Sequence, residues 1–89
     1  MLFMVIERFQ PNALAVYRRL RDEGRSLPDG LKFVGSWVSA DLDRCFQLME
    51  CDDVAPLQRW TAHHADLVHF EIVPVVTGRE TAEALAPLL

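Results

Sequence analysis

Six regular segments follow one another as strand, helix, strand, strand, helix, strand within the first 76 of 89 residues, and that order leaves few folds open. Residues 1–8, 31–38, 44–51 and 69–76 carry the short apolar runs of strands, and residues 11–23 and 54–65 the spacing of amphipathic helices. This is the split βαβ plan: a ferredoxin-like α+β fold, βαββαβ, with a four-stranded antiparallel sheet and both helices on one face. Residues 1–89 are read as a single ferredoxin-like domain, closing with a short C-terminal helix after Gly78 whose run Pro87 limits.

Local signals agree with this order. Pro11 and Asn12 suit a helix start and Gly24 a left-handed cap, while Ala13, Val16, Tyr17 and Leu20 form one apolar stripe between them. Pro28-Asp29-Gly30 is a turn by mechanism, with φ fixed at proline, capping by aspartate and free φ at glycine. The polar link 40–43 joins the second and third strands as an antiparallel hairpin. Asp52 and Asp53 precede the second helix, on which Val54, Leu57, Trp60, Thr61, His64 and Leu67 recur at helical spacing. His63 lies about 100° around the axis and points elsewhere.

Alternation divides each strand between two faces. Leu2, Met4, Ile6, Val34, Ser36, Val38, Phe46, Leu48, Phe70, Ile72 and Val76 form the more apolar set, expected to be the core beneath the helices. The other set mixes Phe3, Val5, Phe33, Trp37, Cys45, Met49, Val73 and Val75 with Glu7, Gln47, His69 and Glu71, which suits a subunit interface or a pocket lining. Gly35 is a candidate β-bulge that would reverse the parity of the residues beyond it, so which face carries the pocket stays open. Both faces are more apolar than two helices can cover, and a second copy of the chain is the simplest cover.

A domain of this size buries only roughly 60–65% of the surface its unfolded chain exposes, so pairing would add needed stability. The net charge of −4 argues against nucleic acid, and the cluster Arg18, Arg19, Arg21 and Arg25 reads as a solvated helix end. No stretch nears the roughly 18 apolar residues of a membrane span, and residues 1–6 are too short for a signal-peptide core. The expected setting is cytoplasmic, with no nucleic acid and no membrane as partner. Cys45 and Cys51 stand about 20 Å apart on one strand, beyond the roughly 7 Å a disulfide allows, and read as small buried apolar residues.

Chemistry is sparsely encoded. Glu7 and Glu71 are the carboxylates to watch, because burial beside aromatic groups raises a carboxyl pKa toward neutrality; their commoner role is an ion pair at a wet rim. His64 shares a helix stripe with Trp60 and is the better single candidate for general base, although a lone histidine there is more often structural. Trp37 and Trp60 either stack a flat ligand or fill the core. The spacing of Cys45, Cys51, His63, His64 and His69 encodes no zinc site, and there is no glycine-rich phosphate loop or nucleophile elbow; neither metal nor cofactor is expected.

The strings MLFMVIERF, LPDGLKFVGSWV, LDRCFQLMECDD and DLVHFEIVPVV resemble a family of short bacterial proteins catalogued as a domain of unknown function, from Met1 to about Val76. That family lends no catalytic residues. More loosely, size and segment order resemble the dimeric α/β-barrel superfamily, whose two ferredoxin-like sheets face each other. The wider resemblance implies a homodimer and a range of activities: cofactor-free monooxygenases acting on aromatic polyketides, lactone isomerases, stress-responsive proteins and haem-handling proteins. No motif here matches their sites residue by residue, and fold alone does not choose among them.

Together these signals read as a dimeric small-molecule-binding protein whose pocket takes a small aromatic or lipophilic ligand, lined by Glu7, Trp37, Gln47, Trp60 and His64. A cofactor-independent monooxygenase or isomerase, with His64 or Glu71 moving a proton, is one alternative. A structural interaction module without a ligand is another.

Overall fold

The computed structural model describes residues 1–89. Strand β1 (Leu2–Phe9), helix α1 (Ala13–Glu23), strands β2 (Lys32–Val38) and β3 (Arg44–Glu50), helix α2 (Val54–His64) and strand β4 (Val68–Val75) succeed one another, and helix α3 (Gly78–Leu85) comes last. The sheet order is β2-β3-β1-β4, antiparallel throughout, so each βαβ unit encloses a strand of the other. This is the ferredoxin-like α+β fold expected from the segment order.

The helix ends obey the sequence signals. Asn12 accepts a hydrogen bond from the Ala15 amide at 3.1 Å, and Gly24, at φ 68°, donates its own amide to the Leu20 carbonyl. Asp53 caps α2 through the Ala55 amide at 3.0 Å, and Pro56 sits in the first turn, where its missing N–H costs nothing. Thr77 caps α3. All of α3 is exposed, and a short 3-10 turn at Ala86–Leu88 takes over where Pro87 ends the helix.

The main core lies between the sheet and α2: Phe3, Val5 and Met49 from the strands meet Leu57 and Trp60, with Leu31 and Cys51 closing one end. Burying such side chains supplies roughly 1.5–3 kcal/mol each. A smaller cluster of Phe9, Ala13 and Cys45 anchors the start of α1. Cys45 and Cys51 are both free and buried.

The helix-covered face is Phe3, Val5, Glu7 and Phe9 on β1 and Cys45, Gln47 and Met49 on β3. That reverses the expectation for these two strands: Leu2, Met4, Ile6, Phe46 and Leu48 point to the opposite, uncovered face. Both alternations are apolar enough to be a core, so hydrophobicity could not choose between them, and the deciding residues were the polar ones, which the fold buries in place of exposing. On β4 the expected parity holds, with Phe70 and Ile72 packed against the core.

The bulge expected at Gly35 is present. Phe33 pairs with Met49 but Gly35 pairs with Leu48, so one extra residue is inserted and the side chains beyond it change sides. Ser36 therefore joins Gln47 on the helix side, and Trp37 joins Phe46 on the open side, 59% exposed, with its ring folded back over Gly35. Val34 and Val73 are exposed on or beside this same open face.

Candidate functional site

A cleft of about 120 Å³ lies where α1, α2 and the loop after Gly24 close over the β1–β3 end of the sheet. Its floor is polar. Glu7 and Gln47 are 6% and 4% exposed, on neighbouring strands; Glu7 pairs with Cys45 and Gln47 with Val5, so they stand on a cross-strand diagonal of about 7–8 Å. Ser36, opposite Gln47 on β2, extends the floor. The walls are Val16, Tyr17 and Leu20 from α1 and Trp60 and His64 from α2, and Arg19 and Arg25 stand among the lining residues.

The roof is held by packing and one hydrogen bond. The Trp60 ring meets Phe70 at 5.4 Å and His64 at 5.2 Å, both edge-on, and its Nε1–H donates to the Arg25 carbonyl at 3.0 Å. The indole thus ties α2 to the loop beyond α1. Arg19, itself a lining residue, makes a two-pronged ion pair with Asp66, at 2.7 and 2.6 Å, which ties α1 to the segment after α2.

The buried polar groups have little to bind within the chain. Gln47 Nε2 donates to the thioether of Met49 at 3.0 Å, a weak acceptor, and His64 Nε2 is buried with no partner. Glu7 forms no ion pair. Desolvation pushes its carboxyl up to about 7, against the opposing pull of the Cys45 thiol as hydrogen-bond donor and of the Arg25 charge. Burial likewise drives the Cys45 thiol up to about 12, with the charge of Glu7 adding to it. Burial lowers His64 below its ordinary value, with His63 and Arg19 adding to the effect and the Arg25 carbonyl opposing it. Tyr17 is raised, by burial first and by Cys45 and Glu7 next.

These shifts decide what the cleft can do. At neutral pH Glu7 can either give or accept a proton, and His64 is a neutral imidazole with a free nitrogen. Cys45 stays a thiol, so it is no nucleophile there. No three His, Cys, Asp or Glu side chains converge as a metal cage would require.

Four of the five residues expected to bind a ligand are therefore brought together: Glu7, Gln47, Trp60 and His64. The fifth, Trp37, is carried to the other side of the sheet by the bulge. Glu71 pairs with Ile6 on the open face and is exposed, so it does not share a site with His64. Sequence reasoning missed Arg25, Tyr17, Cys45 and Ser36. Arg25 looked like one more charge at a helix end, and its place beside the cleft depends on how the loop after Gly24 folds back onto Trp60. Ser36 became legible only once the bulge was placed.

Fold and site together define a ferredoxin-like α+β domain with a polar-floored cleft under its helices, in which no helix is long and apolar enough to cross a membrane. Within that class, the chain belongs to the family described as Domain of unknown function (DUF3303), whose model matches residues 1–89. Among solved structures, that of Rv0793 from Mycobacterium tuberculosis is similar to this chain, with 19% identity and a TM-score of 0.49, covering 86% of this chain and 97% of that one. No curated protein matches the sequence.

Proposed function

We propose that this protein is a homodimeric small-molecule-binding domain whose ligand, small and aromatic or lipophilic, sits in the cleft on the Glu7–Gln47 floor beneath Trp60 and His64. The observation that carries this reading is one cleft lined by buried Glu7, by buried Gln47 whose amide donates only to a thioether, and by a His64 ring nitrogen buried with no partner. An unsatisfied buried polar group costs roughly 1–3 kcal/mol, which a ligand that supplies the missing hydrogen bonds recovers. The volume limits the occupant. A dry cavity of about 150 Å³ accepts benzene, so this cleft takes about one ring or a short acyl chain, with more only at its open mouth.

The dimer is supported by the uncovered face of the sheet. Leu2, Met4, Ile6, Phe46 and Leu48 lie there half-buried with Trp37 exposed beside them, an apolar strip that a second copy of the chain would cover. Replacing Trp37 by Phe leaves Trp60 as the only indole, so its fluorescence reports the cleft alone. Titration of that variant with single-ring aromatic compounds and short acyl compounds is expected to change the emission and raise the melting temperature. A flat response to the whole panel discards the ligand-binding reading.

A second reading, a cofactor-independent monooxygenase or isomerase, is favoured by one observation: the Glu7 carboxyl, pushed up to about 7 by burial, lines the same cleft as an unpartnered His64 nitrogen. Here Glu7, in place of Glu71, is the carboxylate positioned to move a proton with His64. Turnover of any substrate that survives replacement of both Glu7 by Gln and His64 by Ala excludes that role.

A further inference from the structure

We infer that the cleft selects a small organic monoanion, a single-ring or short-chain carboxylate, with the Arg25 guanidinium as its counter-ion. The inference rests on the ligand-binding reading above and adds the charge of the ligand to it.

Six titratable or charged groups face the cavity: Glu7 from β1, Cys45 from β3, Tyr17 and Arg19 from α1, His64 from α2 and Arg25 from the loop after α1. Arg19 is neutralised by its two-pronged pair with Asp66. Cys45 and Tyr17 are protonated, because burial raises both, and burial disfavours the charged form of His64. Glu7 carries its proton below about pH 7. Arg25 is then the one permanent charge left to meet a ligand.

Arg25 is also free to use that charge. It has no carboxylate within ion-pair distance, and its guanidinium lies 3.6 Å over the Phe33 ring. Stacking of this kind occupies a flat face of the guanidinium and leaves the in-plane N–H donors, whose fork matches a carboxylate, available at the edge. The loop fixes where they are. Gly24 at φ 68° and Ser26 at φ 53° turn the chain on both sides of Arg25, and the Arg25 carbonyl is held by Trp60 Nε1. A carboxylate reaching those donors places its apolar part beneath Trp60, while protonated Glu7 and Gln47 offer donors from the floor. Ionisation of Glu7 sets a second negative charge against the ligand and cancels the preference.

Benzoate and its neutral isostere benzamide, titrated into the full chain carrying Trp37→Phe, test this through Trp60 emission. At pH 6 benzoate is expected to bind about tenfold tighter than benzamide, as one charge-assisted hydrogen bond allows. The ratio falls toward unity at pH 8. Arg25→Gln removes the ratio at both values, Arg25→Lys keeps most of it, and Glu7→Gln keeps it at pH 8. Circular dichroism and thermal melts of each variant exclude a folding failure as the cause. Equal binding of the two compounds at pH 6, or an Arg25→Gln chain that still prefers benzoate, overturns the inference and leaves the ligand-binding reading standing. Binding of neither compound overturns the inference together with a cleft for single-ring ligands.

Discussion

The two faces of one sheet divide the work differently from what their composition suggests. The face beneath the helices is the buried one, yet it holds Glu7 and Gln47 within its core at 6% and 4% exposure. The open face carries the apolar strip Leu2, Met4, Ile6, Phe46 and Leu48 between the charged residues Arg8, Arg44 and Glu50, and nothing within the chain covers that strip. A polar residue in a buried layer therefore marks where the packing opens into a cleft, and an apolar residue on an uncovered layer marks where another molecule is needed.

Truncation tests this contrast most forcefully. Met49 and Leu48 are adjacent in β3 and face opposite ways. Met49→Ala, in the fully buried layer, is expected to cost about 3 kcal/mol in urea unfolding of the dilute chain, whereas Leu48→Ala costs the same dilute chain less than about 1 kcal/mol. Equal losses would remove the distinction between the faces.

The next largest effect is electrostatic. The Glu7 carboxyl is raised from 4.5 to about 7, so the folded chain holds a proton that the unfolded chain has already released between those values. Its contribution is fully present below about pH 4.5 and is lost as pH rises through about 7, a loss of up to about 3 kcal/mol from this one group. Glu7→Gln is expected to abolish that fall and to be the more stable chain at pH 8, measured by denaturant titration across the pH range. A parallel pH dependence in the variant would show that Glu7 is not the group responsible.

How much of this was readable in advance varied by element. Segment order, the turn at Pro28-Asp29-Gly30 and the caps at Asn12, Gly24 and Asp53 were legible because each rests on local chemistry. The pairing of Trp60 with His64 came from helical spacing alone. The facing of β1 and β3 was not legible, since either alternation is apolar enough to make a core, and the choice is settled by helices more distant in sequence. The bulge at Gly35 was visible as a possibility, but its consequence for Trp37 required the register with β3. Arg25 beside the cleft depends on the hydrogen bond from Trp60, 35 residues away, which no local pattern encodes.

A smaller effect is expected on the open face. If a second copy covers it, Trp37 is a large anchor at that contact, and Trp37→Ala is expected to raise the dimer dissociation constant about thirtyfold in sedimentation equilibrium while leaving ligand effects on Trp60 unchanged. A wild-type chain that sediments as one protomer at micromolar concentration would rule the dimer out. The smallest effect belongs to the surface. Asp66→Asn breaks the pair with Arg19, but that aspartate is exposed and screened by water, so the melting temperature should move within the scatter of replicate melts. A large drop would mean that the two helix ends, and with them the cleft, depend on this pair.

The extra residue in β2 decides which side of the sheet receives an indole. Carried in unbroken register from the Phe33–Met49 pair, the same residues would set Trp37 opposite Cys45, toward the chamber, and Ser36 opposite Phe46, toward the open side. One unpaired residue thus keeps a bulky aromatic group out of the chamber, so any substitution that flattened the bulge would alter both surfaces of the sheet at once.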